Sequence, residues 1–228
     1  MKRLAVIPAR GGSTRLKNKN THLLGGKPLI RWVTEAVIGS GAFAKVLIST
    51  DSEKIFDAVA DLPVERHFRP HSHATVKATV LNAMLDLMNN TEETYDVFAY
   101  FLPTCPFVSS EDILTGAERL SAATDTVVSM TQIPETLQLA CAMKEDWVIP
   151  LFDNLECGLT NSKFIKKYYK PSGAFYMGWW PRVLEHKNFF KGNVKGVLIP
   201  PERSVDINVL EDIQYAESVL QLHLESTK

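Results

Sequence analysis

The chain has 228 residues, 45% of them hydrophobic and 22% charged, an ordinary globular composition that excludes the disordered and collagen-like classes. Its 25 basic and 26 acidic residues leave a formal net charge of −1, which excludes a general nucleic-acid or membrane-surface binder. Three cysteines, Cys105, Cys141 and Cys157, form no C-x-x-C pair, so neither a disulfide framework nor a zinc site is expected and a reducing, cytoplasmic setting fits.

This length suits one α/β core. The first β-rich run, Leu4-Ala5-Val6-Ile7, is cut short by Pro8 and Arg10, too soon for a signal peptide or membrane span. A helix over 29–37 follows Pro28, and a second strand falls at 46–49. Asp51 is suited to cap a helix over 52–60, and apolar spacing predicts another over 75–88. A strand follows at 97–101, Ser109-Ser110-Glu111-Asp112 opens a helix in capping-box style, and another strand falls at 126–129. This alternation predicts a mostly parallel sheet with helices on both faces.

Periodicity fades over 133–171, which reads as an insertion, an arm packed on a second subunit. The core resumes at Gly173-Ala174-Phe175-Tyr176 and closes with Val205-Asp206-Ile207 and a helix over 209–222.

In such sheets ligands bind beyond the carboxyl ends of the strands. The loop after the first strand, Arg10-Gly11-Gly12-Ser13-Thr14-Arg15-Leu16-Lys17-Asn18-Lys19-Asn20, brings glycines and four cations together, and no acidic residue precedes Glu35. Glycines let a backbone approach phosphate oxygens, and N–H groups and cations meet their charge. The loop matches neither common phosphate-binding pattern, and its composition describes a surface turn equally well.

Near the C-terminus, alternation places Asp206 and Asn208 on one face of a strand, two oxygen ligands suited to Mg²⁺; Asn208 also suits the N-cap of the last helix. His67, His71 and His73 flank Pro70 and read as an exposed loop without metal. Trp179 and Trp180 read as packing residues.

Pro8-Ala9-Arg10-Gly11-Gly12-Ser13, Lys19-Asn20, Ser49-Thr50-Asp51, Arg69-Pro70, Pro103-Thr104-x-Pro106, Gly173-Ala174-Phe175-Tyr176 and Val205-Asp206-Ile207 with Ala216-Glu217 occur in that order. This series resembles the acylneuraminate (CMP-sialic acid) cytidylyltransferases over nearly the whole chain. The resemblance implies a Rossmann-like fold and a homodimer in which an arm of one subunit helps close the other's sugar site. CMP from CTP would pass to an acidic, sialic-acid-like sugar, releasing pyrophosphate.

By position, Arg10, Gly11, Gly12, Ser13, Arg15, Lys19, Asn20, Arg69, Thr79 and Thr104 would bind the nucleotide. Arg10, Lys19 and Asp206 would be catalytic, Asp206 and Asn208 would hold Mg²⁺, and Lys163, Lys166, Ser172 and Tyr176 would meet the sugar. Thr14, Leu102, Ser172 and Asn208 depart from the family's usual lysine, glutamine, asparagine and aspartate. The segment from Gly173 to Gly178 is closer to the pseudaminic and legionaminic branches. The competing readings are a CMP-Kdo synthetase and a non-catalytic nucleotide-sugar-binding homologue.

Overall fold

Leu4, Ala5, Val6 and Ile7 are each at most 2% exposed, because β1 (Arg3–Pro8) lies inside a sheet covered on both sides. The computed structural model describes residues 1–69, 79–133, 136–161, 163 and 165–226. After β1 come a short hairpin of β2 (Leu23–Leu24) and β3 (Lys27–Pro28), then α1 (Leu29–Gly39), β4 (Lys45–Thr50), α2 (Glu53–Asp57) and β5 (Glu65–Phe68). The middle of the chain forms α3 (Val80–Asn90), β6 (Val97–Phe101), α4 (Ser110–Arg119) and β7 (Thr126–Gln132). A second hairpin, β8 (Cys141–Lys144) and β9 (Trp147–Pro150), leads to β10 (Tyr169–Trp179), α5 (Trp180–His186), β11 (Val194–Leu198) and α6 (Leu210–Ser226).

Seven strands make one sheet in the order β11-β7-β10-β6-β1-β4-β5. All its pairings are parallel except those of β10, which runs antiparallel to both β6 and β7. The chain goes from β1 to β4 and β5 on one side and then crosses to β6 on the other, which puts a topological switch point at β1.

Side-chain alternation along β1 builds the two halves of the core. Ala5 and Ile7 pack in the cluster that holds Ile30 and Val33 of α1 and Ile113 and Ala117 of α4. Leu4 and Val6 face the other way, towards Met84, Leu87 and Met88 of α3 and Val183 of α5. Each fully buried aliphatic side chain here contributes about 1.5–3 kcal/mol. A third cluster joins Ile213 and Ala216 of α6 to Leu24, Leu29 and Ile207, pinning the C-terminal helix beside the first loop.

The α/β expectation and its principal strands hold, with local corrections. Two edge strands, β5 and β11, escaped the sequence reading because most of their residues are exposed and their apolar residues are few or broken by Lys195 and Gly196. His67 therefore lies on β5, its Nδ1 3.0 Å from Ser49 Oγ, while His71 and His73 lie outside the described residues. The helix expected over 52–60 is one short turn, α2, whose N-cap is Ser52; the Asp51 carboxylate is used elsewhere. In the helix expected over 75–88, residues 75–78 lie outside the described residues, and α3 starts at Val80 with Thr79 as its cap. β10 begins at Tyr169, inside the stretch read as an insertion.

The register of β10 against β7 shifts between Pro171 and Tyr176, and Gly173 sits in this bulge at φ +86°, where glycine is unstrained. Trp179 donates its indole N–H to Ser121 O, and Trp180 stacks on Tyr95, so both pack as expected. Among the described residues, no helix is long and apolar enough to cross a membrane.

The predicted capping box is present: Ser109 Oγ accepts from Asp112 N, and the Asp112 carboxylate accepts from Ser109 N. Arg203 also grips Asp112 with two guanidinium nitrogens, Nη1 at 2.5 Å and Nη2 at 3.0 Å. Burial alone would push the Asp112 carboxyl up, but the bonds from Arg203 and Ser109 outweigh it and hold the group below the usual carboxylate range. A depressed folded-state pKa gives stability that is present above the unfolded pKa and lost as pH falls through the folded one. Asp112→Asn is expected to lose roughly 2–4 kcal/mol at neutral pH. The gap to wild type should narrow in acid below about pH 4, which paired urea titrations would measure.

Candidate functional site

The loops beyond β1, β4 and β6 meet at the switch point. Ala9 N donates to Ser49 O, continuing the β1–β4 pairing, and Gly11 N donates to Asp51 Oδ1 at 2.7 Å. A Cβ on Gly11 would stand 2.8 Å from Ser52 Cβ, so the approach of the two loops requires glycine there. Asn20, 6% exposed, donates through Nδ2 to Arg10 O and closes the loop on itself. Asn18 takes a left-handed conformation, φ 55°, and starts the 3-10 turn at Lys19–Thr21.

That turn aims Lys19 at the segment before α6. Its Nζ donates to Ile207 O at 3.0 Å and approaches Asn208 Oδ1 at 3.4 Å, while Arg15 Nη2 donates to the same Oδ1 at 2.8 Å. Asn208 Nδ2 donates in turn to Asp206 Oδ2 at 2.9 Å. Ile207 N donates to Thr104 O, tying the segment to the loop beyond β6. The result is a polar crevice with Arg15 and Lys19 on one side and Asp206 on the other.

Its electrostatics are strained toward positive charge. Burial pushes the Lys19 ammonium below its usual range; Asp206 opposes this, while Arg15 and Arg10 add to it. Arg69, 6% exposed, is likewise pushed down by burial, with Asp51 opposing and Arg10 reinforcing. Its Nε has no hydrogen-bond partner among the described residues. A buried guanidinium left short of acceptors is costly, and an anion beside it would relieve that cost.

Of the expected site residues, the fold thus brings Arg15, Lys19, Asp206 and Asn208 into direct contact, with Arg10 and Gly11 beside them. Ser13 N donates to Gly11 O inside the loop, and Gly12 is exposed. Thr79 Oγ1 accepts from Asn82 N as the cap of α3. Ser172 is buried in the β10 bulge, where its carbonyl accepts from Cys105 Sγ. Tyr176 stacks on Tyr100 at 4.7 Å, and burial pushes its hydroxyl up. Lys163 and Lys166 are exposed and make their contacts within the arm: Lys163 N bonds Asn161, and Lys166 N bonds Gln138.

Two expectations for the C-terminal segment change. Asp206 and Asn208 lie on extended loop, not on a strand of the sheet. The N-cap role for Asn208 is also displaced, because Asp212 Oδ2 accepts from both Asn208 N and Val209 N and leaves the Asn208 side chain to the crevice. Asp51 and Arg203 went unrecognised as organisers of the site. Asp51 looked like a helix cap, and Arg203 finds its partner across 91 residues.

The structure aligns over 98% of this chain with a CMP-2-keto-3-deoxy-manno-octonic acid synthetase solved with CTP (TM-score 0.70, 16% identity), covering all of that chain. It aligns over 96% with a 4-diphosphocytidyl-2C-methyl-D-erythritol synthase from Anaerococcus prevotii (TM-score 0.69, 14% identity), covering 98% of that chain. A family model for cytidylyltransferases matches residues 4–167, and the chain belongs to that family. It is 27% identical to a pseudaminic acid cytidylyltransferase of Campylobacter jejuni and 30% identical to a CMP-N,N'-diacetyllegionaminic acid synthase of Legionella pneumophila, each over 99% of both chains. It is also 30% identical, over 96% of its length, to an N-acylneuraminate cytidylyltransferase of Escherichia coli, of which it spans 52%.

A lysine with a depressed folded-state pKa holds its charge at a cost below that pKa, and the cost fades as pH rises toward the free-lysine range. Lys19→Met is therefore expected to stay within about 1 kcal/mol of wild-type stability, or above it. Its affinity for inorganic tripolyphosphate should fall about tenfold or more, read by calorimetric titration beside a melting curve.

Proposed function

We propose that this protein transfers CMP from CTP to the anomeric hydroxyl of a nonulosonic acid, in the cytoplasm, for surface-glycan synthesis. The observation that carries the reading is the convergence of Arg15, Lys19 and Asp206 on one crevice at the switch point. It is joined to full-length likeness to synthases of this class.

In this reading the triphosphate lies along the first loop, against Arg10, Arg15, Lys19 and the backbone N–H groups near Gly11 and Gly12. Ser13, Asn20, Arg69, Thr79 and Thr104 complete the nucleotide side. The sugar hydroxyl oxygen attacks the α-phosphorus in line, its proton leaves to water, and the bond to the pyrophosphate oxygen breaks. Arg10, Arg15 and Lys19 balance charge on the transferring and leaving groups, so the protein contributes mainly positioning and electrostatics.

The donor chemistry fits a single Mg²⁺ held by Asp206. Asp206 Oδ1 makes no hydrogen bond among the described residues, and a hard cation takes one carboxylate with phosphate oxygens and water. Asn208 is a poor second ligand as it stands, since its oxygen accepts from two cations. Bound there, Mg²⁺ would polarise the α-phosphate.

Ser172 and Tyr176 are assigned to the sugar side from their place on β10 beside the loop that follows β6. Lys163 and Lys166 reach a sugar site in a homodimer. Met143, Trp147, Val148, Ile149 and Leu151, on and just after the β8–β9 hairpin, are exposed on its two faces, Trp147 and Ile149 on one and Met143 and Val148 on the other, and this hairpin is the part of the chain offered to a second copy. Trp147→Glu combined with Val148→Glu is expected to convert the dimer to monomer in light scattering.

Pyrophosphate release from CTP and Mg²⁺ tests the reaction across pseudaminic, legionaminic and sialic acids and Kdo. Turnover with a nonulosonic acid is expected. Turnover with Kdo alone would overturn the substrate class, and CTP binding with no turnover would favour the non-catalytic binder.

A further inference from the structure

Asn208 sits at the centre of the crevice and is engaged at both ends of its amide. Its oxygen accepts from Arg15 at 2.8 Å and lies 3.4 Å from Lys19 Nζ; its nitrogen donates to Asp206 Oδ2 at 2.9 Å. Backbone bonds hold it there independently, since Asp212 takes its N–H and Ile207 is tied to Thr104. The side chain therefore spans two cations and one carboxylate without adding charge of its own.

We propose that Asn208 is a positioning residue: it tethers Arg15 and Lys19 beside Asp206 without neutralising them, so that the crevice takes up a nucleoside triphosphate before any divalent cation is bound. The inference rests on the CTP reading above. An aspartate at this position would form ion pairs with Arg15 and Lys19 and oppose the incoming phosphates. Metal would then be needed to offset two carboxylates. With an amide there, the local balance is cationic, and Asp206 alone is left to meet the metal that arrives with, or after, the nucleotide.

The electrostatic consequence is large enough to read. A unit negative charge introduced beside a bound phosphate weakens binding from about fivefold to several hundredfold at partly solvated sites. An uncharged truncation at the same position loses only the tether.

The test is CTP binding by calorimetry in EDTA and in Mg²⁺ for the wild type, Asn208→Asp and Asn208→Ala. The wild type is expected to bind CTP in EDTA within about tenfold of its affinity in Mg²⁺. Asn208→Asp should lose about tenfold or more in EDTA and recover most of it in Mg²⁺, whereas Asn208→Ala should lose less and gain little from the metal. A purely structural role would weaken both variants alike and leave their Mg²⁺ dependence unchanged, which would overturn the proposal. So would a wild type that binds CTP only with Mg²⁺, although the transfer reaction would then still stand. A wild type that binds CTP under neither condition would overturn the transfer reading as well.

Discussion

The ammonium of Lys19 reaches across the crevice to the carbonyl of Ile207, and the site depends on that bond. It joins residues 188 positions apart, bringing the first loop against the segment that carries Asp206. The cation is partly buried beside Arg10 and Arg15; burial first, and then repulsion from the two arginines, pushes its pKa down, while Asp206 opposes the shift. On the proposed reading such a site is preorganised for phosphate, because its donors are in place before the ligand arrives.

Several less conspicuous contacts keep both ends of that bond still. Asn20 fastens the loop through Arg10 O, and Asp51 holds Gly11 N from the neighbouring strand's end. On the far side, Arg203 is clamped to Asp112 at the start of α4, while Asp212 caps the start of α6. Segment 204–208 runs between these two anchors with Ile207 buried in the core shared with Leu24 and Leu29. The crevice can therefore be open to solvent and still be geometrically defined.

Much of this was legible from local chemistry. Buried parallel strands announce themselves as uninterrupted apolar runs, as in Leu4 to Ile7 and β6, and the Ser109–Asp112 cap is a short-range pattern that folds as it reads. The edge strands β5 and β11 were hidden because edges are largely exposed and their composition follows solvent, not the core. The cationic first loop could be seen as a phosphate candidate, but its composition could not separate it from a surface turn. The long-range contact with Asn208 and Ile207, which sets the loop against the Asp206 segment, is not written in any local pattern. The same limit applied to Asn208 itself, where local spacing favoured a helix cap until Asp212 took that role, and to Arg203, whose partner lies in a different element.

On the proposed reading, the first loop and the Asp206 segment together form the seat of the nucleotide's phosphates. A crystal structure of the protein with CTP tests it most directly. The phosphates are expected within hydrogen-bond reach of Arg10, Arg15 and Lys19, with the α-phosphate nearest Asp206. A nucleotide seated elsewhere, such as in the groove lined by Trp32 and Phe107, with Lys19 still bonded only to Ile207 and Asn208, would contradict it.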